Sequence, residues 1–189
     1  RVLLTSGGSV SDFGDMAQGQ GRPAGCSSTT RGIIAGGKVG SDNKTNIIQY
    51  LEFGSTGSGA DFGDLTLEVR HLTGASNATR GLFSGGEIIV NSQSVDSNTI
   101  AYITIASTGN AADFGDMTQG RDYLASTSSP TRVVIGGGRA SGVKVNTMDY
   151  VDISSLGNAS DFGDLTVARS FFDAVNSSTR GVFAGGRDT

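Results

Sequence analysis

The chain has 189 residues, a net charge of −4, one Cys, one His, no Trp and 30 Gly. Its Lys and Arg do not cluster, which excludes nucleic acid and an anionic membrane as main partners, and no apolar run nears the ~20 residues that insert across a bilayer. A 36% hydrophobic share against 17% charged, with glycines at fixed offsets, excludes a disordered tract and points to a folded β protein.

The chain opens at Arg1 without an initiating Met or a signal-peptide pattern, so a processed product or a portion of a larger polypeptide is expected. Val2–Thr5 matches the third strand of the repeat described below, with Arg1 in the column that holds Tyr elsewhere. Asp-Phe-Gly-Asp then occurs four times, at 12–15, 61–64, 113–116 and 161–164. Eighteen residues after each first Asp comes Thr-Arg, ending at Arg31, Arg80, Arg132 and Arg180. An apolar run then ends in Gly-Gly at 36–37, 85–86, 137–138 and 185–186. The copies lie 49, 52 and 48 residues apart, a period that marks a β-propeller.

The last copy shows the strands. Asn146–Ser154, Asp161–Thr166, Arg169–Ser177 and Arg180–Gly186 read as four short strands joined by turns. The strand before each Gly-Gly is apolar on both parities (Ile33-Ile34, Leu82-Phe83, Val134-Ile135, Val182-Phe183), as a strand buried on both faces would be. The whole chain is expected to be one repeat domain, with units of roughly 1–37, 38–86, 87–138 and 139–189 and the termini sharing one of them. The fold class is all-β: a β-propeller of four-stranded blades, either a closed four-bladed ring or an arc of a larger ring. Closure would pair Val2–Thr5 with Gly181–Gly185; an arc would leave apolar flanks that favour self-association.

The Gly-Gly pair, the Tyr on the following strand (Tyr50, Tyr102, Tyr150) and the later aromatic (Phe162 after Tyr150) resemble the kelch repeat, with Phe where that family has Trp. The longer pattern Thr-Arg-Gly-Val-Phe-Ala-Gly-Gly also resembles kelch-type repeats of structural proteins of marine phages, tail fibres among them. The resemblance implies a virion or extracellular setting, and partners on the face carrying the loops between second and third strands.

Length varies in those loops alone: Lys38–Thr45, Glu87–Ser97 and Arg139–Val145. Free loops on a rigid scaffold are where binding concentrates, so Lys38, Asp42, Asn43, Glu87, Asn91, Asp96, Arg139 and Lys144 are the candidate partner-binding residues. Glu87 with Asp96 is the one acidic cluster that breaks the repeat symmetry. The periodic Asp12, Asp15, Asp61, Asp64, Asp113, Asp116, Asp161 and Asp164 read as framework: turn acceptors, and partners in a fork with Arg31, Arg80, Arg132 and Arg180 that joins neighbouring units. Calcium is the alternative for these carboxylates, although two fall short of the about six to eight oxygens it takes; no other cofactor is expected. His71 is expected to be a solvated residue off the repeat pattern, and Cys26 a buried small apolar residue.

The Asp-Phe-Gly triplet is not a kinase signature, because no phosphate loop or His-Arg-Asp loop accompanies it. A copper oxidase needs two His, and a Ser-His-Asp triad finds no partner motif for His71. The expectation is therefore no enzyme but a structural and binding module of a larger assembly, touching a protein or a surface glycan. The alternatives are a lectin-like sugar binder, which needs aromatics at equivalent exposed positions, and a glycan-processing enzyme, which needs one special cluster.

Overall fold

A computed structural model describes residues 10–188. The pairing expected of Val2–Thr5 lies outside them. The described residues form strands and turns without a helix. The first repeat contributes β1 (Ala24–Ser27), β2 (Arg31–Ala35), a hairpin of β3 (Lys38–Val39) and β4 (Asn43–Lys44), then β5 (Ile47–Glu52) and β6 (Ala60–Asp64). The second contributes β7 (Thr73–Ser76), β8 (Arg80–Ser84), the hairpin β9 (Glu87–Val90) and β10 (Gln93–Asp96), β11 (Thr99–Thr104) and β12 (Ala112–Asp116). The third has β13 (Ala125–Ser128), β14 (Arg132–Gly136), the hairpin β15 (Arg139–Ala140) and β16 (Val143–Lys144), β17 (Thr147–Asp152) and β18 (Ser160–Asp164). The last has β19 (Asp173–Asn176) and β20 (Gly181–Ala184).

Three antiparallel sheets of four strands result, ordered β1-β2-β5-β6, β7-β8-β11-β12 and β13-β14-β17-β18, and β19-β20 makes a two-stranded one. Each four-stranded sheet straddles a Gly-Gly pair, so units cut at that pair divide these three sheets between their second and third strands. The first strands β1, β7, β13 and β19 stand side by side in chain order. Their Ser side chains tie them together: Ser76 Oγ donates to Ser27 O at 2.7 Å and Ser128 Oγ to Ser76 O at 2.8 Å.

Asp-Phe-Gly-Asp encodes a β-bulge. Ile48 pairs with Gly63 and Gln49 with Asp61, leaving Phe62 as the extra residue; Phe114 and Phe162 repeat this. The bulge turns Phe62 and Phe114 inward, where each is 2% exposed. Tyr50 and Tyr102 meet these rings edge to face at 5.9 and 6.0 Å.

The same tetrapeptide joins neighbouring sheets. Gly109 N–H donates to Phe62 O at 2.7 Å and Ala111 N–H to Asp64 O at 2.8 Å; Gly157 and Ala159 do the same to Phe114 and Asp116. Asp12–Asp15 offers Phe13 O and Asp15 O to Gly57 and Gly59 of the first sheet in the same way. Asn110 and Asn158 add a side-chain acceptor to each joint.

The periodic Arg also joins sheets, but not by the expected carboxylate fork. Arg31 and Arg80 lie 4.8 Å over Tyr50 and Tyr102 and donate through Nη1 to Ile105 O and Ile153 O of the next sheet. The repeat Asp residues accept locally instead: Asp12 and Asp161 each take the N–H of the Gly two residues on. Arg31 also binds Glu52 of its own sheet through Nε at 2.7 Å; between sheets the acceptor is a carbonyl, and the Tyr ring face adds attraction for the cation.

Cys26 is half-buried, and a Cβ at Gly81 would come within 2.6 Å of its sulfur, so the thiol packs at the first joint. Burial pushes its pKa up to about 12, opposed by a hydrogen bond with Ser76.

Candidate functional site

All loops between second and third strands, and all loops leading into first strands, emerge on one face. Isolated bridges Gly21↔Lys38, Arg70↔Glu87, Asp122↔Arg139 and Ser170↔Arg187 hold the two loop sets together. The variable loops are therefore short hairpins, not free coils. Asn91 and Ser92, with φ 49° and 63°, make the tight turn of the longest one.

The candidate binding residues from these loops mostly bind each other. Lys44 Nζ reaches Glu87 at 2.9 Å across the first joint, and Arg70 binds both Glu87 (2.9 Å) and Asp42. Lys38 lies 3.6 Å from Asp42. Asp96 sits opposite Glu87 in register and accepts from Ser141 N–H at 2.7 Å, linking the second hairpin to the third. Arg139 forks onto Asp122 at 3.1 and 3.0 Å. Lys44, missing from the predicted set, belongs to this ladder, whereas the Asn43 and Lys144 side chains make no ion pair among the described residues.

Burial raises Glu87, but hydrogen bonds from Lys44, Ser94 and Arg70 outweigh it and hold the carboxyl at about 2. Burial raises Asp96, helped by the charges of Asp122 and Glu87. Because the folded value for Glu87 lies below its ordinary 4.5, the ladder adds stability above about pH 4.5 and loses it as pH falls towards 2. Glu87→Gln is expected to flatten the acid limb of stability measured by urea denaturation between those values. At pH 7 it should cost on the order of 1 kcal/mol after screening.

Beside the ladder lies a feature the hairpins did not announce. Arg22, His71, Tyr123 and Phe171 each stand ten residues after a first Asp, and each has a left-handed backbone (φ 57°, 60°, 51°, 58°). Four non-glycine residues in this conformation, at one column, hold strain of the kind that clusters at functional sites. Tyr123 N–H donates to His71 O and Phe171 N–H to Tyr123 O, so neighbouring loops lock together. The side chains stack: His71 on Tyr123 at 3.8 Å and Tyr123 beside Phe171 at 3.8 Å. Arg139 lies 4.2 Å over Tyr123, and Arg187 5.2 Å over Phe171. An open cavity of about 430 Å³ is lined by this column and by Pro23, Leu72, Leu124 and Phe172.

His71 is thus neither solvated nor off the repeat. It is 5% exposed, stacked and polar-contacted, because the preceding loop carries it inward rather than outward. Arg22 Nη1 donates to His71 Nε2 at 2.8 Å. A neutral ring accepting there carries its proton on Nδ1, which faces Asp122 Oδ2 at 3.6 Å. His71, Glu87 and Asp122 bring ligand atoms within 4.8 Å of one another, the one such group among the described residues. Lys44, Arg70 and Arg139 already neutralise the two carboxylates, and Arg22 directs the His71 lone pair away from them, so this set does not fit a cation. The signal in the sequence was a column of constant offset and changing type, visible only when the copies are aligned on Asp-Phe-Gly-Asp.

Comparison with known proteins finds no family model that matches the chain and no curated protein that matches it.

Proposed function

We propose that the chain is a non-catalytic binding module, a set of kelch-like propeller blades within a larger assembly such as a phage tail fibre or other virion protein, and that its hairpin face holds a surface glycan. The observation that carries this is the Arg22–His71–Tyr123–Phe171 column: it changes residue type while keeping a left-handed backbone, and its rings stack beside an open cavity. Phe171, at the end of the stack, is 46% exposed and offers ring surface, with the Arg187 guanidinium 5.2 Å from the ring as a donor. Sugar rings stack on such faces through their C–H surfaces, while guanidinium groups bond hydroxyls and carboxylates. The propeller geometry is supported by side-by-side first strands and by the recurrence of the same joint between sheets.

The reading is non-catalytic because the carboxylates of this face are held by cations, Glu87 by Lys44 and Arg70 and Asp122 by Arg139, which leaves neither as a free base. Screening on a glycan array should find a bound class, with no hydrolysis. Phe171→Ala should weaken that binding about tenfold. An array without a hit, or a hit indifferent to Phe171, rejects the proposal.

A further inference from the structure

Beyond the hairpin face, the flank of the last sheet carries groups whose counterparts are satisfied at every earlier joint. The sheet has only β19 and β20, and the outer edge of β20 is unpaired among the described residues. Phe162 is 47% exposed where Phe62 and Phe114 are 2%. A Cβ at Gly163 would meet nothing within 4 Å, whereas at Gly63 and Gly115 it would strike the next sheet's turn. Arg132 lies 4.5 Å over Tyr150 like its two equivalents, yet among the described residues its guanidinium donates to no carbonyl. A cleft of about 280 Å³ lined by Arg132, Val134, Phe162 and Arg180 follows this flank.

One column says what fits. Where the loop before each first strand crosses the next third strand, the partners change together. Gln49 Nε2 donates to Gln20 Oε1 at 2.7 Å; Val69 and Ala101 share an apolar cluster; Arg121 meets Asp149 at 2.5 Å, both side chains 0% exposed. The fourth member is Arg169. Its Nη1 donates to Gly185 O at 2.8 Å, the pose in which Arg121 donates to Gly137 O at 3.1 Å. Among the described residues Arg169 has no carboxylate partner.

We propose that the β20 edge is a docking site for a strand of this repeat type that carries an acid followed by Tyr, as Asp149-Tyr150-Val151-Asp152-Ile153 does. The acid would pair with Arg169, and the Tyr would lie under Arg180. The alternate apolar side chains would cover Phe162, and the carbonyl at the strand's end would take Arg132. Continuity with three formed joints and the unmatched charge of Arg169 carry this assignment. The chain's own opening stretch is the weaker occupant, since it sets Arg1 in the Tyr column, against Arg180.

The test is a fluorescein-labelled peptide of residues 147–164, titrated by anisotropy into the full chain. Saturable binding at one peptide per chain is expected, with new hydrogen-exchange protection of the β20 amides. The peptide with Asp149→Ala should bind about tenfold or more weakly. With an Arg169→Val chain the preference should reverse, following the Val69–Ala101 pair; should that chain not fold, the two peptides on the unaltered chain decide. No binding overturns the proposal, including because residues 1–9 already cover the edge, and so does binding indifferent to Asp149.

Discussion

Asp149→Ala is expected to destabilise the chain by about 3–5 kcal/mol, the cost of leaving one charge of a buried pair unmatched. Arg121 and Asp149 are both fully buried, and Arg121 also donates to Gly137 O and Thr147 O. Burial lowers the Arg121 pKa, opposed by the Asp149 charge. Removing the carboxylate leaves a guanidinium with carbonyl acceptors but no counter-charge. The second repeat shows the remedy, since Val69 and Ala101 fill the same column with apolar atoms. Arg121→Val combined with Asp149→Ala should therefore recover most of the loss, and urea denaturation of the wild type, both single variants and the double variant closes the cycle. A coupling of at least about 2 kcal/mol is expected. Additive singles would mean the pair is not what holds this column.

The architecture was legible because its determinants are backbone events repeated at one offset. The Asp-Phe-Gly-Asp bulge, the Gly-Gly pair and the Tyr column each recur, and periodicity reports such events directly. The hairpin face was half legible. Length variation identified the hairpin loops, but Lys44, Arg70 and Asp122 became visible only once strands brought Glu87 beside Arg70 and Arg139 beside Asp122. The stacked column escaped because its residue type changes from copy to copy; Arg22, His71, Tyr123 and Phe171 keep one offset and one backbone conformation, and the stacking of the three rings shows only once the loops lie side by side. The periodic Arg is expected to fork onto a repeat Asp, whereas Arg31 and Arg80 reach a backbone carbonyl of the next sheet and Arg31 adds Glu52 of its own. Sequence shows side chains, and carboxylates are the obvious match for Arg, whereas Ile105 O and Ile153 O are backbone acceptors that no residue type announces.

Gly115→Ala should be nearly as damaging as the broken ion pair, at roughly 2–4 kcal/mol, while Gly163→Ala should cost only about 1 kcal/mol. Both glycines have positive φ, 146° and 117°, so an added Cβ meets similar local strain at each. They differ in what lies opposite. At Gly115 the Cβ would come 2.4 Å from Gly157 O and 2.5 Å from its carbonyl carbon, both backbone atoms of the next sheet's turn. That turn cannot retreat without stretching the bonds from Gly157 N–H to Phe114 O and from Ala159 N–H to Asp116 O, each 2.8 Å. It would also draw Asn158 Oδ1 off the Asp116 N–H. At Gly163 the space is open, so the methyl costs torsion alone. The difference between the two variants, measured by thermal unfolding, thus isolates the joint from the glycine conformation. Equal losses would show that Asp-Phe-Gly-Asp needs its glycine only for the bulge, and that the approach between sheets contributes nothing to holding them together.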